Sequence, residues 1–172
     1  MGERGDKWAK VVRNAGKCRR SSIMGELELM FLGQYDHTID DKGRMTIPSG
    51  YRELLDGSAF VTRGFEQNLL VLPPDKFNQL AESISDASMT GSEGRDFRRW
   101  IFSSASRVEV DKAGRILIPQ FLRTFAGLES SAIVIGNGTY FEIWSADLWQ
   151  KHEEENDPEK QSNRFSAINI RL

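Results

Sequence analysis

Ile39-Asp40-Asp41-Lys42-Gly43-Arg44-Met45-Thr46-Ile47-Pro48 returns further along the chain as Val110-Asp111-Lys112-Ala113-Gly114-Arg115-Ile116-Leu117-Ile118-Pro119. Asp, Gly, Arg, Ile and Pro recur at identical spacing. The likeness runs on, because Tyr51-Arg52-Glu53-Leu54 stands where Leu122-Arg123-Thr124-Phe125 stands, and both are followed by a Gly-containing turn and an apolar run. One supersecondary unit present twice implies a pseudo-two-fold fold with two equivalent loops.

In each copy the Asp ends a strand, the Gly three residues on is free to take a positive φ, and an apolar strand restarts after the Arg. A carboxylate at that place can accept hydrogen bonds from backbone N–H groups two or three residues ahead, and Gly supplies the conformation that closes the turn. Asp40, Gly43, Asp111 and Gly114 therefore read as turn-structuring residues. Arg44 and Arg115 admit two readings. Either each pairs with a neighbouring carboxylate, or the twin turns present Arg and Lys to phosphates and guanine edges of a duplex. Lys42, Lys112, Arg52 and Arg123 lie close enough in sequence to enlarge such a basic face.

Around the turns the chain alternates strand and helix signals. Phe31, Tyr35, His37 and Ile39 face one way and Gln34, Asp36 and Thr38 the other, the period of a half-buried strand. A strand, tight turn and second strand fit 31–47, Pro48-Ser49 opens a short helix through Leu55, and Phe60–Thr62 and Leu69–Leu72 read as two more strands. The second copy predicts strands near 105–110, 115–118, 132–135 and 140–144, with a short helix around 120–126. Between the copies, Phe77, Leu80 and Ile84 predict a helix capped near Asp75, and Phe97, Trp100 and Ile101 mark another, with Ser88 to Gly94 as the loop between. A last helix capped by Ser145 carries Leu148 and Trp149. The apolar positions of these helices are either intrachain core or a subunit interface. Gly136-Asn137-Gly138 joins two strands and reads as a hairpin turn.

The chain of 172 residues is 39% hydrophobic with a formal net charge of −2, enough for one core. The overall balance does not point to nucleic acid, nor exclude it, since contact depends on where cations cluster. Cys18 is the only cysteine, which excludes an intramolecular disulfide and a multi-cysteine zinc site and suits a reducing, cytoplasmic setting. No apolar stretch is long enough to span a bilayer. Residues 1–29 carry seven Lys/Arg and four Asp/Glu without apolar period. They are expected to be disordered, either as a basic arm or as an extension ahead of a natural start at Met30. The tail after Asp157-Pro158 is expected to lack fixed structure.

Two Asp residues from duplicated halves also describe an aspartic protease, but Lys in both loops and an adjacent Arg would hold each carboxylate ionised. His37 sits mid-strand and reads as a core or interface residue, and His152 lies among acidic residues. No phosphate loop, nucleophile elbow or metal-ligand spacing emerges. The expectation is a non-enzymatic protein without cofactor or metal.

The constellation of Phe31-Leu32-Gly33, Asp40 to Arg52 and Asp111 to Pro119 resembles the MraZ family of bacterial transcriptional regulators, within the AbrB/MazE/SpoVT group of swapped-hairpin DNA-binding folds. The resemblance covers about residues 30–150. It implies an α+β, β-rich fold in which two tandem swapped-hairpin repeats form one pseudo-two-fold double-split β-barrel with added helices. Its divisions would be an extension over 1–29, a first repeat over 30–77, a helical insert over 78–101, a second repeat over 102–149 and a tail over 150–172. It implies ring-like homo-oligomers on double-stranded promoter DNA, at repeated sites upstream of the cell-division and cell-wall gene cluster, in a cytoplasmic, nucleoid-associated protein with no membrane or small-molecule partner. Carried over by residue, Arg44 leads as the DNA contact, with Lys42 and Arg52 in support and Arg115 and Lys112 from the second copy. The alternative is an antitoxin-like protein-interaction module that neutralises a partner through its tail.

Overall fold

The computed structural model describes residues 30–86 and 91–156; the expectations for 1–29 and for the tail after Asp157 lie outside them. The duplication is carried into the element order. The first half runs β1 (Gln34–Thr38), β2 (Arg44–Thr46), α1 (Ser49–Arg52) with a following 3-10 turn (Glu53–Leu55), β3 (Ser58–Arg63), β4 (Leu69–Leu72) and α2 (Pro74–Asp86). After α3 (Ser92–Ser104) the second half repeats it as β5 (Ser106–Glu109), β6 (Arg115–Leu117), α4 (Gln120–Phe125), β7 (Ser131–Gly136), β8 (Phe141–Trp144) and α5 (Ala146–Glu155).

Local chemistry explains most of the boundaries. Pro48 and Pro119 stand at the N-caps of α1 and α4 with φ of −49° and −55°, so each ends its strand where no ladder donor is available. Ser145 caps α5 as its sequence predicts, its Oγ accepting from Leu148 N at 3.3 Å. Two boundaries differ from expectation. Helix α2 starts one residue before Asp75, because Pro74 suits the first helical position and Asp75 serves the positive helix end from the first turn. Helix α3 already includes Ser92 to Gly94, assigned to a loop above, since Glu93 favours the positive end of the helix from its first turn and Gly94 is buried there. The two helices are Pro74–Asp86 and Ser92–Ser104.

All strand pairings are antiparallel, in a six-stranded sheet of order β1-β7-β8-β4-β3-β5 and a separate two-stranded ribbon, β2-β6. Exchanging the two halves reverses the sheet order and leaves it unchanged, so the duplication is a pseudo-two-fold lying between β8 and β4. Each half donates its first strand to the other: β1 pairs with β7, Gln34 opposite Ile135, and β5 with β3, Ser58 opposite Glu109. The fold is α+β and β-rich, with an open sheet and no closed barrel among the described residues.

Strand β4 shows how the core is divided. All four of its residues are buried, because alternate side chains enter different clusters. Leu69 and Val71 join Met45, Ile47, Leu55, Ile116, Ile118, Leu122, Phe141 and Ile143, drawn from both halves. Leu70 and Leu72 join Phe77, Ile84 and Ile101 beneath α2 and α3, where Phe60 stacks on Phe77 at 4.2 Å between ring centroids. Ile101 is therefore intrachain core, whereas Trp100 is 37% exposed and donates its indole N–H to the Gly64 carbonyl at 3.1 Å. Strand β1 is less buried than its alternation predicts: Phe31 and Ile39 beyond its ends are buried, but Tyr35 is exposed and His37 only half-buried. It is an edge strand, covered on one side only by β7.

Candidate nucleic-acid interface

Both Asp-x-x-Gly-Arg segments fold into the same closed turn. Asp40 Oδ1 accepts from the backbone N–H of Lys42 at 3.0 Å and of Arg44 at 2.9 Å, while Gly43 N–H donates to the Asp40 carbonyl at 2.8 Å. Asp111 Oδ1 does the same for Ala113 and Arg115, both at 2.9 Å, and Gly114 N–H reaches the Asp111 carbonyl at 2.8 Å. Gly43 and Gly114 have φ of +80° and +72°, the left-handed region in which an L side chain is strained.

The second carboxylate oxygen holds the arginine. Asp40 Oδ2 lies 2.7 Å from both Nε and Nη2 of Arg44, and Asp111 Oδ2 accepts from Nε and Nη2 of Arg115 at 2.9 and 2.8 Å. The two readings of these arginines are thus compatible. Each guanidinium is aimed by its own Asp through two nitrogens, and the remaining N–H groups are left for a ligand, with about a third of each arginine side chain exposed. Both carboxyls are held below the usual Asp range. For Asp40 the main cause is the backbone N–H of Arg44; for Asp111 it is the Arg115 guanidinium. Arg115 is held more firmly protonated by Asp111 and also feels Asp40 of the other turn.

The turns meet through the β2-β6 ribbon, in which Arg44 stands opposite Leu117, Met45 opposite Ile116 and Thr46 opposite Arg115. Directly opposed residues share a face. Met45 and Ile116, both fully buried, mark the inner face, so Arg44, Thr46, Arg115 and Leu117 form the outer one. The ladder extends into the turns, with Ile47 N–H on the Gly114 carbonyl at 2.8 Å and Ile118 N–H on that of Gly43 at 3.0 Å.

Arg52 and Arg123 act across the pseudo-two-fold. Arg52 donates Nε to the Ile47 carbonyl at 3.0 Å and lays its guanidinium against Gly114 of the opposite turn; Arg123 donates to Ile118 at 3.1 Å and lies against Gly43, where a Cβ would fall 2.7 Å from its guanidinium carbon. Arg123 also bonds Gln120. Lys42 and Lys112 are exposed at the turn tips. All six cations named from the sequence therefore lie on or beside one ribbon. The positioning role of Arg52 and the equal standing of Arg123 were not evident; the alignment of the two copies was the available signal. Residues 40–52 and 111–123 carry six Lys/Arg against three Asp, a local net of +3 in a chain of net −2.

The histidines and the helical side lie apart from this pattern. Half-burial, then the nearby Arg52, lowers the pKa of His37, and Asp36 acts the other way. His152 stacks on Trp149 and lies 3.9 Å from Glu66. An apolar groove of about 330 Å³ is lined by Leu70, Leu72, Leu80, Phe97 and Tyr140 beside α2 and α3. Among the described residues no group of three or more His, Cys, Asp or Glu could hold a metal, and no helix is long and apolar enough to cross a membrane.

A duplicated α+β chain whose paired Asp/Arg turns share one ribbon defines the class. The family model described as "MraZ protein, putative antitoxin-like" matches residues 30–100 and again 101–168, and the chain belongs to the MraZ family. Similar proteins named Transcriptional regulator MraZ include that of Thermomicrobium roseum, 46% identical over 73% of this chain and 88% of its own. Those of Roseiflexus castenholzii, at 45% over 70% and 85%, and Heliobacterium modesticaldum, at 44% over 75% and 90%, are comparable.

Proposed function

We propose that this chain is a sequence-specific DNA-binding transcriptional regulator that works without enzymatic chemistry, as a ring-like homo-oligomer on repeated promoter sites, in the cytoplasm at the nucleoid. The observation that carries it is the β2-β6 ribbon, which offers two aimed guanidiniums on one outer face with Lys42 and Lys112 beside them. A two-stranded ribbon fits the major groove, and an arginine held by a carboxylate is ordered before it meets guanine or phosphate. Membership of the MraZ family supports the regulatory role and, by the likeness stated above, sites at the cell-division and cell-wall gene cluster.

The exchange of first strands between halves supports reading each as a swapped-hairpin repeat of one double-split barrel, with the repeats over 30–77 and 102–149. A single ribbon carries few cations, so one protomer binds weakly at physiological salt; several protomers on repeated sites gain roughly 10²–10⁴ in avidity.

The test is a titration of the protein against duplex DNA from upstream of its own gene, beside scrambled duplex, at several salt concentrations. Arg44→Ala is expected to lose about 1–3 kcal/mol on the cognate duplex and far less on the scrambled one. Equal loss on both reduces Arg44 to a phosphate contact. A confirmed oligomer that binds neither duplex refutes the reading in favour of an antitoxin-like protein partner.

A further inference from the structure

Leu117 breaks the symmetry of the ribbon. It is a large apolar residue, 54% exposed, at a position where the first copy has Thr46. A leucine left in water on a strand flanked by fully buried Ile116 and Ile118 is not needed for the core, which the inner face already fills. Its neighbours say what it faces. Leu117 stands directly opposite Arg44, and Arg115 directly opposite Thr46, so the outer face is two unlike pairs, Arg–Leu and Arg–Thr.

We infer that Leu117 is a specificity-determining residue that contacts the C5-methyl group of a thymine beside the base pair met by Arg44; this rests on the DNA-binding reading above. The major groove offers apolar contact only at that methyl, and guanine offers Arg its O6 and N7 acceptors. Cβ atoms of opposed residues lie about 5 Å apart, so side chains from this pair reach the same or adjacent base pairs, which are spaced ~3.4 Å along the axis. A protein partner covering Leu117 would have to bury the Arg44 and Arg115 guanidiniums with it, whereas a duplex receives both kinds of group together. The Thr46–Arg115 pair offers a smaller methyl and a hydroxyl, and so discriminates less. The site read by one chain is therefore asymmetric, with a guanine–thymine neighbour demanded on the Arg44 side and relaxed on the Arg115 side.

The experiment replaces each thymine of a selected cognate duplex, one at a time, by deoxyuridine, which removes only the methyl group. Binding is measured for the unaltered protein and for Leu117→Ala. Removing one buried methyl weakens binding by a factor of about four, so wild type is expected to show such a loss at one thymine next to a required guanine, and Leu117→Ala none there. Because the uracil series on wild type needs no variant, a folding defect in Leu117→Ala cannot mimic the result. Three outcomes overturn the inference: no position sensitive to uracil in wild type, a uracil penalty undiminished in a folded Leu117→Ala, or loss of oligomer in that variant with base preference intact. Failure of the protein to bind any duplex instead removes the DNA-binding reading itself.

Discussion

Gly43→Ala tests whether the two halves clamp each other. Two separate costs meet at this position. Its φ of +80° lies in the left-handed region, which costs an L residue roughly 1–2 kcal/mol. The new Cβ also falls 2.7 Å from the Arg123 guanidinium carbon, so Arg123 must leave its place and the hydrogen bond from its Nε to the Ile118 carbonyl at 3.1 Å. A hydrogen bond from a charged group contributes about 1.5–3 kcal/mol, toward the lower value at this half-exposed site. The single substitution should therefore lower stability by about 2.5–3.5 kcal/mol. In an Arg123→Ala background the second cost is already absent, and the same substitution should lower it by only about 1–2 kcal/mol. Urea denaturation of the four proteins, compared at unchanged m-value, yields the coupling between the sites. The expected coupling is about 1.5 kcal/mol. A value below about 0.5 kcal/mol would refute the clamp, because Arg123 would then be shown to move aside freely. Gly114→Ala with Arg52→Ala is the mirror cycle and should behave alike.

Three further outcomes follow from the same geometry. Asp40 and Asp111 have folded pKa values below the unfolded value of 3.8, so their stabilisation is fully present above that pH and is lost as pH falls through the folded values; denaturation midpoints below pH 4 should fall less steeply in the doubly substituted Asp40→Asn, Asp111→Asn protein. Met45→Ala, at a fully buried position beneath the ribbon, should cost about 2–5 kcal/mol in urea unfolding, whereas Thr46→Ala on the outer face should stay within about 0.5 kcal/mol. Tyr51 donates its hydroxyl to the Leu32 carbonyl at 2.9 Å, and burial, with Tyr35 nearby, pushes its pKa up to about 12; burial raises Tyr140 as well, so an ultraviolet titration of the protein should show a high-pH tyrosine component that is reduced, by the step near pH 12, in Tyr51→Phe.

Much of the site was legible because its turns are local. An Asp accepting from backbone N–H groups just ahead, closed by a glycine at positive φ, is written within five residues; in both copies the donors stand two and four residues ahead, where two or three were expected, because the turn carries the chain back to the start of the next strand. Helix α5 with its Ser145 cap and the Gly136-Asn137-Gly138 hairpin were equally local. The readings that shifted were those in which position in the sheet overrides periodicity. The alternation of β1 is sound, yet an edge strand leaves Tyr35 in water. The four apolar residues of β4 could not be assigned to two separate clusters without knowing that it is central.

The duplicated decapeptide, by itself, determined that the chain has two equivalent halves, that each carries a closed Asp/Gly turn followed by an arginine, and that their apolar neighbours build a shared core. Those facts depend on residues a few positions apart, and on the equivalence of the two copies. Which residues oppose one another across the β2-β6 ribbon, and that Arg52 and Arg123 each brace the turn of the other half, was decided only by the tertiary structure. Pairings between distant segments are chosen by which side chains can be buried together. It was the burial of Met45 against Ile116 that set the register and turned Arg44, Thr46, Arg115 and Leu117 outward.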